Sequence, residues 1–411
     1  MKNYFKVYSG LQREVYVFFI ARVITCMGMF ILPLWALILT QKIGLSKPQA
    51  GIMSTVFFVT QAPCLLFGGK LIDRIGKKKF IFLSQSLGSV IYIICAVLPM
   101  SMLTAALIIV AADFYTAASP ALDALVADIT TPENRKASFS LIYFGLNLGY
   151  TVSPLVGGLL FQRHLPVLFI LDAVTTLISI AIIMKYIKEP EEKQEQRSPG
   201  EGGREEKASV WNVLLRCRVL LYFLIVMFIY HFCYSQWSFM LPLQMADLFG
   251  GNGARNYSFL VAANAVTVIA FTPLATAGTR RFRALTVSAA GGLCFFVSFL
   301  LFGPMTHLPY FFIAVFLLTV GEILVTVNTN AFIADNTPPT HRGRVNSLHE
   351  FLRGTCYAVS PPVMGTLIVA LGYLKSWWII AALMLAGALS MAALDRKQSR
   401  ETQKTGTIPS A

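Results

Sequence analysis

The sequence has little charge, since only 13% of its 411 residues are Asp, Glu, Lys or Arg. A soluble domain carries about 25% charged residues, so long stretches of this chain are uncharged. Hydrophobic residues make up 56% of the chain, and its mean hydropathy is +0.65. A soluble protein of this composition would expose enough apolar surface to aggregate, which excludes that class.

Signatures of catalysis are also missing. The seven cysteines are odd in number and form no Cys-x-x-Cys pair, which argues against a disulfide framework. No metal-ligand cluster and no nucleophile–base pairing is evident in the sequence. We therefore expect neither an enzyme nor a bound metal or cofactor.

The sequence is rich in apolar runs of the length that a membrane helix requires, about 20 residues. We predict an all-α polytopic membrane protein, with twelve transmembrane helices in two pseudo-symmetric six-helix bundles. The twelve runs lie near residues 15–40, 48–71, 80–99, 102–127, 137–162, 165–186, 218–246, 256–278, 284–304, 308–334, 344–371 and 373–394.

The net charge of +14 could by itself indicate a nucleic-acid partner. The positions of the basic residues argue against that partner. Of the 34 Lys and Arg residues, 26 fall on the side of the predicted membrane that holds both termini. This asymmetry follows the positive-inside rule. It predicts a multi-pass protein of the cell (inner) membrane with cytoplasmic N- and C-termini and with basic loops near anionic lipid head groups.

A polar segment between the sixth and seventh runs divides the chain. It is rich in charge, contains glycine and has no apolar periodicity, which is typical of a flexible linker. The predicted organisation is an N-terminal bundle at 1–187, a cytoplasmic linker at 188–211, a C-terminal bundle at 212–395 and a cytoplasmic tail at 396–411.

The two halves of the chain repeat each other. Residues 127–160 and residues 334–367, which are 207 positions apart, share 15 identical residues in 34 without a gap. A constant offset indicates a duplication rather than chance apolar similarity. Six-span halves related by a parallel repeat place a substrate site between them near the midplane and permit alternating access. The repeat therefore predicts a transporter.

The stretch GGKLIDRIGKKK, at residues 68–79, joins the second and third predicted spans. It lacks the Gly-x-x-x-x-Gly-Lys-Ser/Thr spacing of a nucleotide loop. It resembles instead motif A of the major facilitator superfamily, Gly-x-x-x-Asp-Arg-x-Gly-basic-basic. The matching residues are Gly69, Asp73, Arg74, Gly76, Lys77 and Lys78.

This resemblance implies a conformational latch, in which Asp73 faces the N-terminus of a helix from the other half. Asp128, at the end of the fourth span, is expected to pair with Arg74 or a nearby base. Gly76 is expected to adopt positive φ and so to close a very short turn. The alternative is that these residues only orient and solubilise a loop, which fits the lysines better than Asp73.

A second resemblance, on the fifth span, is to the drug:proton antiporter branch of that superfamily. The run GLNLGYTVSPLVGGLL is similar to motif C, Gly-x-x-x-Gly-Pro-x-x-Gly-Gly, with Gly149, Pro154, Gly157 and Gly158 as the matches. Small residues around a proline permit close helix packing and a bend. Ser153 stands where the motif has a glycine. The arginine that this branch usually carries early in the fourth span is also absent.

Acids inside the predicted spans are candidates for proton coupling or for attracting a charged substrate, because a charge at the bilayer centre is costly. Asp113 lies in the middle of the fourth span and Glu322 in the middle of the tenth. A structural ion pair or hydrogen bond within one half is the alternative for each. Both acids belong to polar stripes with helical spacing: Asp113, Thr116, Pro120 and Asp123, and Thr319, Glu322, Thr326 and Thr329.

Other polar residues in the spans are candidates for the cavity. His231 is a candidate proton carrier, and Asp172, on the sixth span, is expected to pair locally. Arg22 and Arg353 are expected either to snorkel to the membrane surface or to pair with an acid such as Asp123, Asp128 or Glu350. The cavity candidates, for which ordinary packing is the alternative, are Arg22, Thr116, Tyr230, Tyr234, Gln236, Trp237 and Thr326.

We predict a secondary active transporter that works by alternating access, is driven by the proton motive force and exports small amphipathic compounds or drugs. Its partners would be a small-molecule substrate, protons and membrane lipids, without nucleic acid, and we expect a monomer. A proton-coupled uptake symporter for a sugar, peptide or other metabolite is the main alternative. A non-transporting membrane receptor or scaffold is a further alternative, against which the polar stripes argue.

Overall fold

The computed structural model describes residues 9–131, 134–187, 217–279, 281–337 and 342–405. These ranges are largely helical and contain no β-strand. The predicted linker at 188–211 lies outside them. The helices are α1 (Arg13–Met27), α2 (Trp35–Leu37), α3 (Lys47–Ile75), α4 (Lys77–Val97), α5 (Met102–Ala117), α6 (Ser119–Asp128), α7 (Arg135–Leu160), α8 (Leu165–Tyr186), α9 (Arg218–Tyr234), α10 (Gln236–Phe249), α11 (Gly253–Thr279), α12 (Ala284–Phe302), α13 (Leu308–Asp335) and α14 (Arg342–Thr405).

Eight helical stretches of the described residues are long and apolar enough to cross a membrane. Two of them, Arg218–Thr279 and Val345–Arg400, contain 62 and 56 residues, whereas one span requires about 20. Each of these two stretches holds two of the predicted spans. The all-α polytopic class is confirmed, and the count of twelve spans stays a prediction.

Glycines with positive φ mark several turns between predicted spans. Gly76 has a φ of 87° between α3 and α4, as predicted, and Gly372 has a φ of 74° inside α14. Glycine adopts positive φ at little cost, and other residues rarely do so. Gly372 therefore divides α14 where the eleventh and twelfth predicted spans meet.

The first predicted span is not one continuous helix, which corrects the sequence prediction. Helix α1 ends at Met27, and helical structure resumes only at Trp35. Inside this break, the backbone N–H groups of Phe30 and Ile31 donate hydrogen bonds to the carboxyl group of Asp172 on α8. A buried acceptor lets the chain leave helical geometry because the backbone donors remain satisfied.

The seventh predicted span contains a related break, at Ser235 between α9 and α10. The Ser235 Oγ lies 2.5 Å from the Oγ of Ser360, on α14. Ser153, which corresponds to Ser360 at the offset of 207, donates a hydrogen bond of 3.1 Å to the carbonyl of Met29 in the first break. Ser153 departs from motif C, and Ser360 is its counterpart in the second half. Each of these serines contacts the broken helix of its own half.

The chain divides into two compact units. In the first, α1 packs against α7 and α8, and α4 packs against α5 and α8. In the second, α12 packs against α13 and α14, and α9 packs against α14. The bundle boundaries predicted from the sequence stay predictions. The first unit holds residues 1–46, 56–195 and 245–265, and the second holds 47–55, 196–244 and 266–411.

Each unit contains one close helix contact that the repeat duplicates. In the first unit, a Cβ at Gly158 would lie 2.9 Å from the carbonyl oxygen of Ala254. In the second, a Cβ at Gly365 would lie 2.5 Å from the carbonyl oxygen of Lys47. Both pairs of positions are related by the offset of 207. The duplication therefore preserves packing contacts as well as residue identities.

We expect Gly149→Ala to lower the melting temperature of the purified protein. A Cβ at this position of α7 would lie 2.5 Å from Cys26 Cβ and 2.9 Å from the backbone nitrogen of Met27, so α1 would have to move. Overpacking of this kind costs about 1–3 kcal/mol. The measurement is thermal denaturation in detergent.

Gly354→Ala, on α14, is the matched control for this measurement. A Cβ there would meet none of the described atoms within 4 Å, and alanine favours a helix over glycine by about 0.5–1 kcal/mol. The control should therefore melt at the wild-type temperature or slightly above it. Equal losses in the two variants would contradict the packing role of Gly149.

Candidate functional site

Asp113 lies on α5 in the first unit and is partly exposed. Its Oδ1 accepts a hydrogen bond of 3.1 Å from the Thr60 hydroxyl of α3. The thiol of Cys64, one turn further along α3, also donates to this carboxylate. Both partners are neutral, so neither neutralises the charge of the carboxylate. Asp113 therefore retains the capacity to bind a proton or a cation.

The fourth predicted span continues from α5 into α6 in the first unit. Thr116 is partly exposed on α5, and Asp123 is exposed on α6. Arg22 of α1 is partly buried and lies within electrostatic reach of Asp123. The structure therefore brings Arg22 near Asp123, one of the acids predicted as its partners.

Glu322 lies on α13 in the second unit and is partly exposed. The phenol of Tyr357, on α14, lies within its electrostatic reach. The other members of its polar stripe differ in exposure, since Thr319 and Thr329 are buried and Thr326 is exposed. The two ends of the stripe are therefore packed inside the unit, whereas Glu322 and Thr326 are accessible at its surface.

His231 of α9 meets a histidine that the sequence did not single out. Its Nε2 lies 3.1 Å from the Nε2 of His349, on α14. His349 is only 6% exposed, and its Nδ1 lies 3.7 Å from Glu350 Oε1. Arg353 donates a hydrogen bond from its Nε to Glu350 at 2.8 Å. Glu350 is thus the predicted acid with which Arg353 pairs.

The remaining candidates on the seventh span are mostly packed inside the second unit. Tyr230 and Trp237 are buried, and the Tyr230 hydroxyl donates to the carbonyl of Ser288 at 3.1 Å. Tyr234 is partly exposed. Gln236 is fully buried, and its Oε1 has no hydrogen-bond partner among the described residues. A buried acceptor without a partner costs about 1–3 kcal/mol, so this oxygen stands out as a group that a ligand could satisfy.

The motif A turn is held by an ion pair in the first unit. Lys77 Nζ lies 2.5 Å from Asp128 Oδ2, so the partner of Asp128 is a nearby base. Arg74, the other base named for it, is exposed. Gly69 and Asp73 lie within α3, but the structure does not describe the surroundings of Gly69 or the side chain of Asp73, and the latch stays a prediction.

Motif C lies within α7, with Pro154 inside the helix. A Cβ at Gly157 would lie 3.2 Å from Leu34 Cδ1. Together with Gly149 and Gly158, this residue lets α7 approach its neighbours closely. The close packing expected from the small residues of motif C is confirmed.

The family of the chain follows from comparison with known proteins. The model of the Major Facilitator Superfamily matches residues 18–361 and again residues 253–409. The chain belongs to the Major Facilitator Superfamily. It is therefore a multi-pass membrane transporter of the secondary kind, as its repeat and its motifs predicted.

Individual relatives within the superfamily are distant. The Na(+), Li(+), K(+)/H(+) antiporter of Planococcus maritimus is 23% identical over 341 residues, which cover 76% of this chain and 80% of that protein. Multidrug resistance protein 1 of Bacillus subtilis (strain 168) is 25% identical over 159 residues, or 38% of this chain and 40% of that protein. A POT family transporter solved with a thioalcohol conjugated peptide aligns with a TM-score of 0.73 at 14% identity, covering 94% of this chain and 96% of that chain. This last likeness shows the fold.

Proposed function

We propose that this Major Facilitator transporter exports small amphipathic compounds in exchange for protons. The observation that carries the proposal is Asp113, a carboxylate in the middle of a span whose hydrogen-bond partners are neutral. Either a proton or a cationic ligand can neutralise such a group. If the two compete for it, binding of one promotes release of the other, which is the requirement for antiport.

The relatives support an exchange mechanism. Multidrug resistance protein 1 resembles part of this chain, and motif C resembles that of the drug:proton antiporter branch. The relative from Planococcus maritimus, which covers more of the chain, is named as a cation/proton antiporter. An alkali cation is therefore the second candidate cargo, because carboxylate and hydroxyl oxygens such as those of Asp113 and Thr60 are the ligands that hard cations prefer.

In this proposal both termini are cytoplasmic and the proton motive force across the inner membrane supplies the energy. The motif A turn lies between α3 and α4. The ion pair between Lys77 and Asp128 holds this turn against the end of α6. Asp73, four residues before Lys77, then acts as the latch. The protein needs no bound cofactor and works as a monomer.

The test is transport into liposomes that contain the purified protein. An acidic lumen drives cargo inward by antiport, whereas an acidic exterior drives it inward by symport. Ethidium is a suitable probe because its charge is permanent, so an acidic lumen alone does not trap it. We expect ethidium to accumulate with an acidic lumen and to be released by a protonophore, and not to accumulate in empty liposomes.

The same vesicles separate the other candidates. Accumulation of Na⁺, Li⁺ or K⁺ with an acidic lumen, without ethidium, would favour the alkali cation as cargo. Accumulation of a sugar or a dipeptide only with an acidic exterior would replace export by uptake. Absence of driven movement of every probe in both gradients would contradict a proton-coupled transporter.

A further inference from the structure

We propose that His231 and His349 form a second proton-binding site, in which the two imidazole rings hold one added proton as a unit. The two Nε2 atoms lie 3.1 Å apart, the ring centroids are separated by 5.1 Å, and the ring planes are inclined by 57°. This separation is within hydrogen-bond range. One hydrogen therefore lies between the two nitrogens.

The number of protons follows from this contact. In the neutral pair, one ring carries its hydrogen on Nε2 and donates, and the other carries it on Nδ1 and accepts. An added proton enters at the vacant Nδ1, which keeps the shared hydrogen bond and gives the pair a charge of +1. A second added proton would set two N–H groups against each other at 3.1 Å and break the contact. The contact therefore permits one added proton, which the two rings hold as a unit.

The surroundings decide which ring nitrogens hold these hydrogens. Glu350 Oε1, at 3.7 Å from His349 Nδ1, favours a hydrogen on that nitrogen. His349 then accepts at Nε2, and the added proton enters at His231 Nδ1. Arg353 opposes the added charge, but its own charge is offset by its ion pair with Glu350.

Other titratable groups lie near the pair on the helices that pack with α9. Tyr357 lies within electrostatic reach of Arg353, Cys356 and Glu322, so it connects the surroundings of the pair to the acid of α13. Helix α12 contributes no charged residue. The titratable groups on these elements include Tyr230, Cys233 and Tyr234 of α9, Cys294 of α12, Glu322 of α13, and Glu350, Arg353, Cys356 and Tyr357 of α14.

The inference rests on the proposed function only in assigning the bound proton a part in transport. The second unit then has a titratable site of its own, separate from Asp113 in the first unit. Binding of a proton there adds one positive charge beside Glu350 and Arg353. A proton-driven transporter with this site responds to pH through two groups rather than one.

The direct test is a histidine titration by ¹⁵N NMR, using the full-length protein in lipid nanodiscs from about pH 5 to pH 8. The chain has five histidines, so their signals can be assigned from His231→Gln and His349→Gln. We expect the pair to take up one proton together, and each substitution to change the titration of the remaining ring. His307→Gln, at an exposed position, should change neither. Two rings that titrate independently in the wild-type protein would overturn the site, even if both variants fold poorly.

The transport assay tests the role of the site. His231→Gln and His349→Gln should each change the ratio of ethidium transport rates at pH 6 and pH 8 by about tenfold. This change corresponds to a shift of the pH profile of transport by about one pH unit. The double variant should change it no further, because the two rings act as a unit, and His307→Gln should leave it unchanged. Additive or absent effects would overturn the role in transport. If the wild-type protein moves no cargo in either gradient, the proposed function fails, and the NMR titration still decides the site.

Discussion

Asp113→Asn is expected to abolish transport driven by a pH gradient while leaving the protein folded. Asparagine keeps the size of the side chain and an oxygen that can accept from the Thr60 hydroxyl, now at 3.1 Å. Its amide takes up no proton at ordinary pH. Since the exchange of a proton for the cargo requires a group that changes charge, we expect the driven rate to fall by about a hundredfold or more.

Two measurements separate coupling from binding in this variant. The first is ethidium accumulation with an acidic lumen, and the second is exchange of labelled for unlabelled ethidium at equal pH on both sides. We expect loss of the first and retention of the second at a reduced rate, because the neutral amide takes up no proton and also attracts the cation less strongly. Asp247→Asn, at an exposed acid of α10, is the matched control and should retain both. Wild-type accumulation in Asp113→Asn would exclude this carboxylate as the coupling group.

The sequence predicts those parts of the fold that obey local rules. Run length and hydropathy locate the spans, and glycine marks the turns at Gly76 and Gly372 because few other residues adopt positive φ. The break after α1 is missed for a physical reason. Hydropathy reports transfer into lipid but not where backbone hydrogen bonds go, and the acceptor that permits this break, Asp172, lies on another helix.

The acids of the candidate site could be predicted from the sequence, but the contacts between its side chains could not. Asp113 and Glu322 are visible because a carboxylate inside an apolar run is costly. His349 carries no such signal, since one histidine among apolar residues is also consistent with ordinary packing. Its contact with His231 depends on the rotation of α9 against α14. The choice of Lys77 as the partner of Asp128 likewise depends on which way each side chain leaves its helix.

Asp172→Leu is expected to prevent normal folding of the first unit. Asp172 is 3% exposed and accepts hydrogen bonds from the N–H groups of Phe30 and Ile31 in the break. The Phe30 N–H also donates to the Gly28 carbonyl at 2.8 Å. In the leucine variant Phe30 therefore keeps one acceptor, whereas the Ile31 N–H loses the acceptor that Asp172 supplied. A buried donor left without a partner costs about 1–3 kcal/mol, and more where no water can replace the lost acceptor.

Asp172→Asn keeps a hydrogen-bond acceptor at this position. The amide oxygen can still accept from both N–H groups, whereas a leucine side chain offers them no acceptor. We therefore expect the melting temperatures to fall in the order wild type, Asp172→Asn, Asp172→Leu, with poor membrane expression of the last. Val174→Leu, on the exposed face of α8, should match the wild type. A wild-type melting temperature for Asp172→Leu would mean that packing alone holds the break, because the leucine variant retains apolar volume while losing both hydrogen bonds.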